Sequence, residues 1–144
     1  MIDTRRIDPY MSYRFIVIIG EIIQGGCNEI SGLEVTTQVE DYREGGINNY
    51  VHKLPKETTF GNLTLKKGIG DHTEFFDWHK DVVNGNVKRK DVEISLLNDR
   101  SDQKVRSWFF KGAYPVKWTG PDLKADSNAV AFETLELVHH GYQS

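Results

Sequence analysis

The sequence predicts a mainly β protein, an antiparallel β-barrel or sandwich carrying one short flanking α-helix and one long extended hairpin or loop. Three observations lead there. Short apolar or alternating runs recur along the whole chain, too close together and too brief for helices. Only one segment has helical spacing with stop signals at its end. The connections between runs are polar and glycine-bearing, as in Ile30-Ser31-Gly32-Leu33 and Tyr42-Arg43-Glu44-Gly45-Gly46.

Each element has its own signature. Residues 13–19 contain Phe15-Ile16-Val17-Ile18-Ile19, a β-branched run suited to a strand buried on both faces. Over residues 33–41, Leu33, Val35, Thr37 and Val39 alternate with Glu34, Thr36, Gln38 and Glu40, so an extended chain places the two sets on opposite faces. From Glu40 to Leu54 the chain reads as an extended hairpin or loop, with a short strand over 50–53 and a turn at Lys53-Leu54-Pro55. A strand over 63–67 closes on Gly68. The helix is expected over about residues 71–83, from Asp71 to Val83: Asp71 caps it, Phe75, Phe76, Trp78, Val82 and Val83 supply apolar positions, and Asn84-Gly85 offers a left-handed stop. Strands over 92–97, 105–114 and 130–139 complete the reading. There is no internal repeat, low-complexity tract or dividing linker, so residues 1–144 read as a single domain, with residues 1–12 an N-terminal extension of no assignable pattern.

Composition narrows the function. A chain of 144 residues can bury a self-supporting core. A net charge of −3 with mixed signs argues against a protein whose task is to grip phosphate backbones. Cys27 is alone, which excludes an internal disulfide and fits a reducing compartment, and it reads as a small buried hydrophobe. The aliphatic run at residues 15–19 is far short of the ~20 residues that span a bilayer, and no small-residue cleavage site follows it. No membrane anchor is expected.

Signs of catalysis are weak. On a helix, His72 and His79 would lie two turns and ~10 Å apart, too far to share a metal. His139 and His140 are adjacent on a strand and point to opposite faces. Gly68-Ile69-Gly70 lacks the third glycine and the lysine of a phosphate loop. No carboxylate pair has the asymmetric surroundings that separate an acid from a base. The expectation is therefore no catalytic residue, no metal and no cofactor. Lys88-Arg89-Lys90, taken with Lys66-Lys67, is the strongest basic feature and reads first as a solvated strand end, then as a patch facing an acidic neighbour; aromatics are not interleaved with it, so specific nucleic-acid recognition is not expected. Trp78, Trp108, Trp118 and Phe76 read as core or interface anchors.

Read in order, a series of short strings resembles the tail tube family of contractile-tailed bacteriophages and the inner tube proteins of extracellular contractile injection systems. The strings are Tyr13-Arg14-Phe15, the Ser31-Gly32-Leu33 segment, Tyr42-Arg43-Glu44-Gly45-Gly46, Lys53-Leu54-Pro55, Leu65-Lys66-Lys67-Gly68, Phe76-Asp77-Trp78, Arg89-Lys90-Asp91-Val92 with Ile94, Trp108 with Ala113-Tyr114-Pro115, and residues 133–139. Each is made of common residues; their order and spacing carry the likeness. One departure is Lys56, where the family often has glycine in the proline turn.

The resemblance implies a non-enzymatic structural subunit that forms six-membered rings, stacked into a tube with a continuous lumen for cargo, either a protein effector or DNA. It implies sheath, baseplate or spike, and terminator proteins as partners. Synthesis in a bacterial or archaeal cytoplasm, assembly into an injection particle or virion tail, and release by lysis would follow. The Glu40-to-Leu54 connection is then assigned to inter-ring contact through Asp41, Tyr42, Arg43, Glu44, Gly45, Gly46, Ile47, Tyr50 and Leu54. Its chemistry suits the role: Asp41, Arg43 and Glu44 offer charge, the glycines allow a bend, and Ile47, Tyr50 and Val51 are apolar groups that a free loop would expose. The Glu34, Thr36, Gln38 and Glu40 face is the candidate lumen wall. A competing reading from another class is a monomeric ligand-binding β-barrel with Trp108, Phe109 and Phe110 facing an internal pocket.

Overall fold

Ten strands and one helix form among residues 13–43, 45, 51–98, 101–126 and 130–143, which the computed structural model describes. The expected class holds: the chain is mainly β, antiparallel throughout, with one short helix. Residues 1–12, Glu44, and 46–50 with Gly46, Ile47 and Tyr50 lie outside the described set, so those parts of the sequence reading receive no structural account.

Strand β1 (Tyr13–Ile19) pairs with β2 (Ile22–Gln24) through the two-residue turn Gly20-Glu21, both at positive φ, which matches the twist of a tight hairpin. A second turn at Gly25-Gly26 leads to β3 (Cys27–Ser31). Strands β4 (Val35–Tyr42) and β5 (His52–Phe60) form a separate two-stranded sheet, followed by β6 (Leu63–Gly68). After helix α1 (Glu74–Val83) come β7 (Lys90–Asn98), the 16-residue β8 (Lys104–Thr119), β9 (Phe132–Val138) and β10 (Tyr142–Gln143).

The main sheet runs β2-β1-β7-β8-β9-β6-β3, with β10 added beside β8. β8 belongs to two halves: its first part pairs with β7 and β10, its last part with β9. Gly112 makes this possible. At φ +60 it forms a bulge opposite Asp91, whose carboxylate accepts the Gly112 N–H at 3.0 Å, and inward-facing positions shift from Trp108 and Phe110 to Ala113 and Pro115. That N–H, with Lys111 adding, holds the Asp91 carboxyl below the usual carboxylate range. A further irregularity after Pro115 accommodates a proline within the strand. The sequence pattern predicts an end at residue 114, before Pro115; β8 instead continues past the proline to Thr119.

The core lies between the halves. Val17, Ile19, Val92, Ile94 and Phe110 from one meet Leu63, Leu65, Leu135 and Leu137 from the other, with Phe75 and Trp78 of α1 closing one end. The alternation of β6 and β9 continues inward to Lys67 and Glu133, register partners whose charged groups lie 3.7 Å apart. Both are buried, which is tolerable because Trp118 Nε1 donates to Glu133 at 3.1 Å and the Lys67 ammonium sits 4.1 Å from the Phe75 ring centre. Cys27, half-buried opposite Lys67, has its thiol pushed up to about 11, first by burial.

The helix begins later than expected. Thr73, not Asp71, occupies the N-cap position, and its hydroxyl donates to Asp77 at 2.8 Å. Gly85, at φ +85, follows the C-cap Asn84 as the anticipated left-handed stop. Of the apolar helix positions, Phe75 and Trp78 are buried, whereas Phe76 and Val83 are exposed.

Candidate assembly surfaces

The β4–β5 hairpin stands apart from the core. Every residue of both strands is exposed except His52, which is half-buried. It is longer than the expected 40–54 connection, because residues 52–60 continue it as strand. Lys53-Leu54-Pro55, predicted as a turn, lies inside β5: Pro55 pairs opposite Val39, and residues 56–57 bulge opposite Gln38, next to the proline.

Register assigns the faces, since directly opposite residues share one. One face carries Val35 with Phe60, Thr37 with Thr58, Val39 with Pro55, and Asp41 with Lys53. The other carries Thr36 with Thr59, Glu40 with Leu54, and Tyr42 with His52. The first is the more apolar, and Val39 is 53% exposed. A two-stranded hairpin is marginal alone in water.

Its root is clamped to the body. Gly32, at φ +91, leaves no room for a side chain: a Cβ there would lie 1.8 Å from the Asn62 carbonyl oxygen. The Gly61 N–H donates to the Glu34 carbonyl at 3.0 Å. His139 bridges the Gly61 carbonyl, 3.0 Å from its Nε2, and the Gly141 N–H, 3.1 Å from its Nδ1. Because Nδ1 accepts, Nε2 carries the proton. Phe60 packs against His139 and, edge-on, against Tyr142. Beside this root, Leu33, Glu34 and Val35 roof a groove of about 220 Å³ whose floor is Trp108, Phe110 and Tyr142. The sequence singled out Ser31-Gly32-Leu33 but gave no sign of His139 as a clamp.

The residues assigned from sequence fall as follows. Asp41 and Tyr42 end β4, Arg43 and Gly45 follow it toward the tip, and Leu54 lies on β5. Thr36, Gln38 and Glu40 are on β4 and Glu34 just precedes it, so the proposed lumen face belongs to the hairpin and not to the eight-stranded sheet. Trp78 is a core residue, 3% exposed, and its Nε1 donates to the Lys88 carbonyl at 2.8 Å. Trp108 is half-buried beside the groove, and Phe76 meets Trp118 edge-on at 4.9 Å on the surface.

Two expectations are corrected. Trp108 and Phe110 line the groove but Phe109 does not join them: successive residues of β8 alternate, Phe110 facing the core and Phe109 the opposite side, exposed. The basic cluster is not a single patch, because Lys67 is buried against Glu133, while Lys66 pairs with Glu29 at 3.6 Å and Lys88 with Asp81 at 3.3 Å. Arg89 lies over the Tyr114 ring, with one guanidinium nitrogen 2.9 Å from His140 Nε2.

The other exposed apolar strand is β2, where Ile22 is 58% and Ile23 64% exposed. It ends the strand order, and among the described residues no strand pairs with its far side. Among those residues, no cluster of three histidine, cysteine or acidic groups could hold a metal, and no helix is long and apolar enough to cross a membrane.

Residues 11–143 match the family described as T4-like virus tail tube protein gp19. The chain is similar to a solved chain of the PVC sheath-tube complex of an extracellular contractile injection system in its extended state: 33% identity, TM-score 0.83, covering 94% of this chain and 90% of that one. It is similar, too, to a chain of the anti-feeding prophage tube-terminating cap, at 29% identity and TM-score 0.86, covering 98% and 93%. Hcp1 from Flavobacterium johnsoniae, at 17% identity and TM-score 0.57 over 90% and 92%, shares the fold. No curated protein sequence matches.

Proposed function

The chain belongs to the T4-like virus tail tube protein family, and from that membership we propose that it is the structural subunit of the inner tube of a contractile injection system. Six copies form a ring, rings stack into a tube, and the lumen conducts cargo pushed through a target envelope. The subunit acts through geometry, with no catalytic step and no cofactor. Sheath, baseplate or spike, and terminator proteins are its partners in the particle, which is built in the cytoplasm and released by lysis.

One observation carries this reading: the β4–β5 hairpin exposes an apolar face that no other described element covers. A monomer gains nothing from such a surface, whereas a stacked ring buries it against the next ring. Asp41, Tyr42, Arg43, Glu44, Gly45, Gly46, Ile47, Tyr50 and Leu54 are the proposed contact residues. Glu34, Thr36, Gln38 and Glu40, on or beside the hairpin's more polar face, are proposed to meet the channel, where weak interaction keeps cargo moving. The likeness to a chain of an injection-system sheath-tube complex at 33% identity favours that device. A bacteriophage tail tube conducting DNA is the second reading, favoured by the family description itself.

Electron microscopy of the purified chain tests the proposal. Hollow rings or tubes are expected, and deletion of residues 45–49 should leave the body folded but stop stacking. Normal-length tubes from the deletion variant would remove the inter-ring role. A concentration-independent monomer taking up a hydrophobic dye at a single site would replace the tube by a ligand-binding barrel.

A further inference from the structure

His139, in the connection from β9 to β10, ties the hairpin root to the body through both of its ring nitrogens. Nε2 donates to the Gly61 carbonyl at 3.0 Å, and Nδ1 accepts the Gly141 N–H at 3.1 Å. Only the neutral ring can do this, because an imidazolium has two donors and no acceptor. A proton on Nδ1 would point at the Gly141 N–H, so one of the two groups has to move. Gly141 is the fixed one. The Lys111 N–H donates to its carbonyl at 3.1 Å, the Lys111 carbonyl accepts the adjoining His140 N–H at 2.8 Å, and the Phe60 ring lies so close that a Cβ on Gly141 would sit 3.2 Å from it. The ring must therefore leave, taking the bond to Gly61 with it.

We infer that protonation of His139 opens the hairpin root, so that mild acid releases the β4–β5 hairpin from the body while the core stays folded. This is a property of the single subunit, and it goes beyond the tube reading without depending on it. The charges around the ring do not remove the conflict. Glu34 packs over Gly61 and favours a cation nearby, yet among the described residues no carboxylate is bonded to either ring nitrogen. Glu136 on β9 accepts from the Asn62 amide at 3.4 Å, and the Lys111 ammonium is drawn to Asp91 at 3.4 Å. Phe60, Phe110 and Tyr142 contribute rings to this corner. His140 has its own donor: a guanidinium can only donate, so its Nε2 accepts from Arg89 at 2.9 Å. That histidine is exposed and Arg89 can turn into water, whereas His139 is half-buried and holds two backbone groups. The root should loosen as the pH falls through the range in which histidine ordinarily gains its proton, about pH 7 to 5.

The test is hydrogen exchange of the full chain read by mass spectrometry, at concentrations where it is monomeric and with rates corrected for the intrinsic effect of pH. Peptides within residues 52–62 should exchange roughly tenfold faster at pH 5 than at pH 8, while those of β1 and β7 keep their protection. His139→Gln, whose amide can donate to Gly61 and accept from Gly141 without titrating, should show no such rise. His140→Gln and His52→Gln, which remove the exposed neighbour and the hairpin's own histidine, should keep it. Exchange in the wild type that is the same at both pH values, a glutamine variant at 139 as acid-sensitive as the wild type, or a core that loosens together with the hairpin would overturn the inference. If His139→Gln does not fold, an NMR titration of the wild type decides: ring protonation and hairpin opening should share one midpoint, and separate midpoints would refute the link. None of these readouts uses assembly, so the tube reading stands or falls separately.

Discussion

Replacing Trp78 with alanine should unfold the chain much more readily without touching any proposed contact between copies. The side chain is 3% exposed, sits at the end of the core beside Phe75, and donates to the Lys88 carbonyl at 2.8 Å. A buried tryptophan removes ~150–250 Å² from water, worth about 4–6 kcal/mol at ~25 cal/mol per Å². A denatured chain that is already partly collapsed lowers this by roughly 10–40%. The lost hydrogen bond adds little, because Lys88 is exposed and water can reach its carbonyl. The expected loss is therefore ~3–5 kcal/mol, in line with measured Trp-to-Ala changes in cores, or a fall in Tm of roughly 8–16 °C for a domain of this size. The assay is urea unfolding at concentrations where the chain is monomeric, so that assembly does not add to apparent stability. Trp78→Phe, which keeps most of the buried area, should lose about half as much or less. Unchanged unfolding of the alanine variant would place the indole at the surface and refute the packing argument for α1.

Three further outcomes follow from the same structure. Lys67→Met leaves Glu133 buried without its cation and should cost ~3–5 kcal/mol in urea unfolding, much of it recovered in Lys67→Met/Glu133→Leu; a single variant as stable as the wild type would show that Glu133 reaches water. Cys27, its thiol raised from 9.0 to about 11 by burial, should resist alkylation up to pH 9. Because the folded state holds that proton more tightly, the thiol's effect on stability is flat below pH 9, and stability falls as pH rises from 9 to about 11; fast labelling at pH 8 would contradict this. Gly32→Ala forces a Cβ onto the Asn62 carbonyl at a left-handed position, and should lower Tm and detach the hairpin root, read as faster proteolysis within residues 35–60. Proteolysis identical to the wild type would deny the clamp.

Much of the architecture was legible because period-2 patterns and turn residues act locally. β1 lies where the run at residues 13–19 predicted, and β6, β7 and β9 shift by only one or two residues at their ends. What escaped was decided by tertiary contacts. β2 and β3 are too short to show a period, and exist because Gly20-Glu21 and Gly25-Gly26 fold them back against β1 and β6. Pro55 and Pro115 each suggest a strand end, yet both pair within strands, next to register irregularities, the setting in which a strand tolerates proline. The hairpin was recognised from its glycines and charges, but its true length and its apolar face depend on the register of residues 52–60, which only pairing reveals. His139 was invisible as a clamp, since its partners Gly61 and Gly141 are set by the fold.

A cryo-electron microscopy reconstruction of the particle formed by the full chain bears most directly on the central claim, that copies stack into a hollow tube through their hairpins. The account predicts six-fold rings around a hollow axis, with hairpins crossing to the adjacent ring. Rings in which each hairpin is folded back on its own body, or a chain that stays solitary, would contradict it.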